Sequence, residues 1–193
     1  MADKATIDVE RVGPPLAPRT AADTDGDVQR ILTKLDAAGI NKHIMRLLAN
    51  CSTAFRPFTL LTTSLLSSVH YPRLDQEVVI LHLAARRSTQ YEWEEHVPMA
   101  LESGVHQAQI DAIERDRGAI DTDQFTADQL LAVELADQLI DNARIRTETW
   151  SRAVDTWGTD GTMDLFMSVA VWGAFVPTVI EGLGLVHVPE GSS

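Results

Sequence analysis

Three side chains near the middle of this sequence have the types and spacing needed to move protons. Glu92 and His96 stand four residues apart, so a helix sets them on one face. Glu77 precedes the apolar run 78–81, and a carboxylate at such an edge is either exposed or held by a partner. An imidazole at the margin between core and charged face is half-desolvated, and its proton affinity can be tuned there. Thr89 lies three residues before Glu92 on the same face, and Tyr91 and His82 are candidate second donors. Trp93 begins an adjoining apolar stripe with Val97, Ala100 and Leu101. Glu77, Glu92 and His96 are therefore the candidate catalytic residues, and His82, Thr89, Tyr91 and Trp93 the candidate substrate contacts. The competing reading is a plain helix-surface pair of Glu92 and His96, worth about 0.2–0.5 kcal/mol.

The elements that must carry these residues read as helices. Apolar positions recur at helical spacing over 28–35, 44–48, 55–69, 74–87, 89–103, 107–115 and 125–140. A further helix opens at Thr147, and two late segments, 162–172 and 174–183, read as deeply buried. Asp123 and Asn41 are expected to cap helices, and Gly39, Pro72, Gly104 and Gly184 to end or separate them. Pro98 removes the usual donor to the Glu94 carbonyl and should bend its helix beside His96. Glu94, Glu95 and Glu102 are expected to face solvent. Period-2 alternation is hard to find, so the fold class is all-α. The expected organisation is an extended tail over 1–26, one helical domain over 27–188 and a short C-terminal tail over 189–193.

Composition narrows the chemistry. The chain has 193 residues, 45% of them hydrophobic and 23% charged, which is enough for one buried core and argues against a disordered chain. Asp and Glu number 28 against 16 Lys and Arg, a formal net charge of −12. A general nucleic-acid binder or a protein drawn to anionic membranes needs the opposite sign. The longest uncharged stretches, 57–72 and 165–180, are short for a spanning helix, so neither nucleic acid nor membrane is an expected partner. Cys51 is the single cysteine, so no intrachain disulfide, Cys-x-x-Cys redox pair or cysteine-rich zinc site can form. That composition suits a reducing cytoplasm. A glycine-rich phosphate cradle and a Gly-x-Ser-x-Gly elbow are both missing. His96 with Glu92, and Glu77, His70 or His82, has adequate ligand chemistry for a divalent ion, but no His-Glu-x-x-His signature accompanies it. No metal and no cofactor are expected.

Three strings then carry a resemblance: Arg73-Leu-Asp-Gln-Glu-Val-Val-Ile-Leu, Gln90-Tyr-Glu-Trp-Glu-Glu-His-Val-Pro and Ala100-Leu-Glu-Ser-Gly. Together the sequence resembles the carboxymuconolactone decarboxylase family, which includes the alkylhydroperoxidase D-type proteins. The likeness extends more weakly over 31–186. It implies a helical bundle of the alkylhydroperoxidase D-like type that assembles into homo-oligomers. It also implies positions. The peroxidase branch uses a glutamate followed by Cys-x-x-Cys-x-x-x-His, and here Glu77 and His96 fall on the glutamate and the histidine. Thr89 and Glu92 stand where the cysteines would be. Thr89 supplies no thiolate and Glu92 forms no disulfide, so thiol peroxidase activity is not expected.

What the resemblance leaves is the chemistry of its decarboxylases. Carbon dioxide departs from a carboxylated lactone, electrons delocalise into a carbonyl, and a carbon is protonated. Such a reaction needs a proton donor, an anion-holding pocket and dry walls. The expected function is a decarboxylase-like lyase or isomerase for a small organic acid or lactone-like metabolite, with His96 carrying the proton. Glu77 or Glu92 would orient it. Arg73, Arg86 and Arg87 are candidates to hold substrate, each competing with a surface role. The alternative is a non-catalytic oligomer or ligand-binding scaffold of the same fold.

Overall fold

The computed structural model describes residues 16–40, 42–116, 120 and 122–185. Among them there are helices and turns and no strand. The chain divides between Asn50 and Cys51 into two compact units.

The first unit holds a 3-10 turn at Ala21–Asp23, helix α1 (Gly26–Ala37) and helix α2 (His43–Leu48). Thr20 and Asp23 close the turn reciprocally, with the Thr20 amide donating to the Asp23 carboxylate at 2.8 Å. The segment before α1 is tied to α2: the Arg19 amide donates to the Arg46 carbonyl at 2.9 Å, and the Asn50 side chain donates to the Ala17 carbonyl at 2.9 Å. The expected tail is therefore partly pinned; its part up to residue 15 lies outside the described residues. So does Asn41, and Lys42 occupies the N-cap position of α2.

The second unit contains α3 (Ser52–Leu66), α4 (Arg73–Arg87), α5 (Gln90–Ser103), α6 (Gln107–Asp116), α7 (Ala127–Asn142) and α8 (Thr147–Ala170). A π-helical turn (Val171–Phe175) and α9 (Val176–Leu183) follow. Its centre is α4. Residues 76–84 are buried without interruption, and α4 packs against α5, α6, α7, α8 and the π turn. A helix that is apolar nearly all round belongs in such a position. Pro72 starts α4 by occupying its N-cap, and Ser88 ends it in the left-handed region at φ 55°. There the Thr89 amide reaches back to the Ala84 carbonyl at 3.0 Å. This two-residue connection turns the chain straight into α5, which passes through Pro98 and stops at Gly104, φ 101°. Glu77 and His96 are thereby set on neighbouring helices.

Four local expectations need correction. Helix α3 spans 52–66 rather than 55–69, and Val69 is 90% exposed in the connection to α4. Thr126, not Asp123, caps α7: its hydroxyl accepts from the Gln129 amide at 3.2 Å, while the Gln129 side chain accepts from the Thr126 amide at 3.0 Å. Asp123 instead sits in a 3-10 turn, Thr122–Gln124. Glu94 and Glu95 are half-buried rather than solvated.

The fourth correction concerns the late helices. The segments expected at 162–172 and 174–183 join without a loop through the π turn, while Gly158, at φ 70°, ψ 177°, is non-helical and kinks α8, separating the helix that opens at Thr147 from the one that follows. Only glycine adopts that conformation readily. The run Thr147–Leu183 is 37 residues long and apolar enough by composition to cross a membrane, yet half of its most apolar window is buried within the protein. The C-terminal tail and His187 lie outside the described residues.

Candidate functional site

Glu77 is fully buried, and its two carboxylate oxygens have different partners. Oε1 faces the Arg73 guanidinium one turn earlier on α4, and Oε2 lies 2.9 Å from Nδ1 of His96 on α5. Arg73 is held in turn, since its Nη1 donates to Oε1 of Gln76 at 3.1 Å. Gln76 donates to the Ser168 hydroxyl of α8 at 2.8 Å and to the Leu65 carbonyl at 3.3 Å. A polar chain thus runs from Ser168 through Gln76, Arg73 and Glu77 to His96. It crosses a core where each unpartnered polar group would carry a desolvation cost.

This arrangement fixes the imidazole. A carboxylate on Nδ1 selects the ring orientation and leaves Nε2 as the nitrogen that exchanges protons. His96 retains 8% of its surface. Trp172 of the π turn stands against the imidazole edge-on, with ring centroids 6.5 Å apart and planes at 83°. The π turn is pressed in tightly behind it: a Cβ on Gly173 would lie 2.6 Å from Cδ1 of Ile140 on α7 and 3.1 Å from Cδ1 of Leu83 on α4.

Glu92 lies one turn before His96 and is 2% exposed. Neither of its oxygens has a hydrogen-bond partner. Burial pushes its pKa well above the ordinary carboxylate value; the Arg87 charge opposes that rise and the Glu77 charge adds to it. Burial without a partner thus favours the neutral acid form of Glu92, whereas Glu77 is held by Arg73 and His96.

The remaining candidates separate. His82 does not join the cluster. It is fully buried and turned toward α7, with Nε2 2.7 Å from Oδ1 of Asp137. Arg86 donates to the same oxygen at 2.6 Å and to Asp141 at 3.0 Å. The physical reason is the helical step: positions 77 and 82 point to different sides of α4. Thr89 and Trp93 line a surface depression with Ala84, Ser88, Gln90 and Glu114, and none of Glu77, Glu92 and His96 lines it. The Thr89 hydroxyl is buried without a partner. Tyr91 is buried on α5. Cys51 is exposed at the start of α3, and no group of three or more His, Cys, Asp or Glu among the described residues is arranged to hold a metal.

Two participants have roles that the sequence reading does not give them. Arg73 reads there as a candidate to hold substrate or as a surface charge, whereas it pairs with Glu77, and their i,i+4 spacing is the signal for that pair. Trp172 reads as a core anchor, and nothing local ties it to a histidine 76 positions earlier. No family model, no curated protein and no solved structure matches the chain.

Proposed function

We propose that this chain is an acid–base enzyme of the alkylhydroperoxidase D-like type, a decarboxylase-like lyase or isomerase acting on a small organic acid or lactone-like metabolite. The observation that carries the reading is Glu77 held between Arg73 and Nδ1 of His96. A buried carboxylate fixed by a cation and aimed at one ring nitrogen is what a proton-transferring histidine requires, because it sets the tautomer and steadies the imidazolium. His96 takes or gives the proton through Nε2. Glu77 positions it, Arg73 holds Glu77, and Trp172 and the core keep water scarce. No thiol takes part, since Thr89 and Glu92 occupy the positions where the resemblance would put cysteines.

The test uses carboxylated lactones and β-keto acids, following both carbon dioxide release and uptake of solvent deuterium at carbon. Turnover by the wild type and its loss in a folded His96→Asn variant are expected. Wild-type-like turnover by that variant, or none by the wild type across the panel, overturns the reading. The second reading, a scaffold without catalysis, draws on the depth of the cluster: His96 is 8% exposed, and the polar chain from Ser168 can serve as core architecture alone. It calls for no turnover and for a stability loss on every substitution along that chain.

A further inference from the structure

Glu92 has no structural explanation in the fold around it. A carboxyl group 2% exposed, with neither oxygen hydrogen-bonded, is the kind of exception that native proteins keep at reactive sites. Its surroundings disfavour a charge. Arg87 is exposed and acts on it only across space, and Glu77 is already held by Arg73 and His96. An uncompensated buried carboxylate is far costlier than a buried carboxylic acid. The side chain therefore presents an O–H donor and a carbonyl acceptor with nothing to bind. It stands on the same face of α5 as His96, four residues or about 6 Å along the axis. The Thr89 hydroxyl, also buried without a partner, lies one turn further back.

We propose that Glu92 is a catalytic hydrogen-bond donor to an enolate oxygen, and that the substrate is a small carbonyl compound whose reaction passes through an enolate. This deepens the acid–base reading above and rests on it. In an isomerisation, Nε2 of His96 removes a proton from the carbon beside the carbonyl. The C–H electron pair forms the new C=C bond, and the carbonyl π electrons move onto oxygen. Glu92 donates its hydrogen bond to that oxygen while keeping its proton. The imidazolium then returns the proton to another carbon of the conjugated system. In a decarboxylation the same enolate forms when the carbon–carboxylate bond breaks and leaves its electrons behind; His96, charged from solvent, protonates the carbon. Neither route needs an oxidant or a reductant. A neutral acid serves this role better than a cation would, because it stabilises the developing charge without first attracting the substrate's own carboxylate.

The probe is 4-nitrophenol, whose phenolate has an enolate-like oxygen and a visible absorption band. It is titrated into the full chain and into Glu92→Leu and Glu92→Gln, with circular dichroism on each. The wild type is expected to bind the phenolate, and Glu92→Leu to bind it about ten- to a hundredfold more weakly, the loss of one hydrogen bond to a charged oxygen. Glu92→Gln keeps an N–H donor of the same size, so it should stay within about threefold of the wild type. Absence of wild-type binding at millimolar probe, or equal binding by folded Glu92→Leu, overturns the assignment. Loss by Glu92→Gln equal to that of Glu92→Leu also overturns it. Deuterium uptake that still depends on His96 under any of those outcomes would sink the role of Glu92 while leaving the acid–base reading intact.

Discussion

A buried acid that stays protonated leaves a signature on stability that does not depend on the catalytic role proposed for it. Below the ordinary value of 4.5, folded and unfolded chains both hold the Glu92 proton. Above it the unfolded chain releases the proton and the folded chain does not, so stability falls with rising pH by up to about 1.4 kcal/mol per unit. The favourable contribution is thus complete below the unfolded value and is lost as pH climbs toward the raised one. Glu92→Gln removes the titration. In urea unfolding at about pH 5 and about pH 8, the variant should gain on the wild type as pH increases; parallel pH curves for the two proteins would contradict a neutral Glu92. Glu77, unlike Glu92, is held by partners on both oxygens. Arg73→Met strands its carboxylate in the core and should cost about 3–5 kcal/mol, while the double change Arg73→Met with Glu77→Gln should recover much of that. A double variant as unstable as the single one would show that packing of the arginine stem, not charge pairing, is what matters there.

At the scale of elements, the α4–α5 hairpin that carries the site was largely legible, and the run from α8 to α9 was not. Pro72 and Gly104 punctuate the hairpin, the buried run 78–84 can only be central, and the four-residue spacing of Glu92 and His96 sets their common face. These are local rules, and local rules read well. The partners of the site come from afar: Ser168, Trp172 and Asp137 meet α4 or α5 through tertiary packing that no short window reveals. Gly158 and the π turn were missed because a glycine break and a one-residue change of helical pitch leave the apolar pattern almost intact. Glycines in that run separate close packing from mere permissiveness. A Cβ at Gly161 would lie 2.4 Å from the His70 backbone carbonyl, which cannot swing aside as a side chain can. Gly161→Ala should therefore destabilise by about 1–3 kcal/mol. Gly182 in α9 has nothing within 4 Å of the same atom, and Gly182→Ala should be neutral or stabilising by up to about 1 kcal/mol. Thermal unfolding of the two variants side by side checks the contrast, and equal effects would mean that α8 does not press on the 67–72 connection.

Across the whole molecule, the acidic charge and one exposed apolar face make self-association a testable expectation. A formal charge of −12 makes copies of this chain repel, except across a face that carries none. The stretch 57–72 has no Asp, Glu, Lys or Arg, and α3 within it leaves Leu60 52% and Leu61 36% exposed. Phe175 of the π turn, 47% exposed, continues this surface by packing on Phe58 with ring centroids 5.2 Å apart. A second copy of the same chain suits such a face, because a symmetric contact pairs the uncharged patch with itself and keeps the acidic surfaces apart. The homo-oligomer implied by the family resemblance would then be built through α3. Light scattering on the eluted protein should give a multiple of the chain mass that grows as salt screens the repulsion. Leu60→Glu adds a charge where the fold already exposes the side chain, so it should leave circular dichroism unchanged and shift the protein to monomer. A wild type that is monomeric at all salt concentrations, or a Leu60→Glu variant that assembles as the wild type does, would remove α3 as the interface. Because the same π turn carries Phe175 on this face and Trp172 against His96, a true α3 interface also predicts lower turnover in the monomeric variant, although Leu60 lies in no part of the proton-transfer cluster.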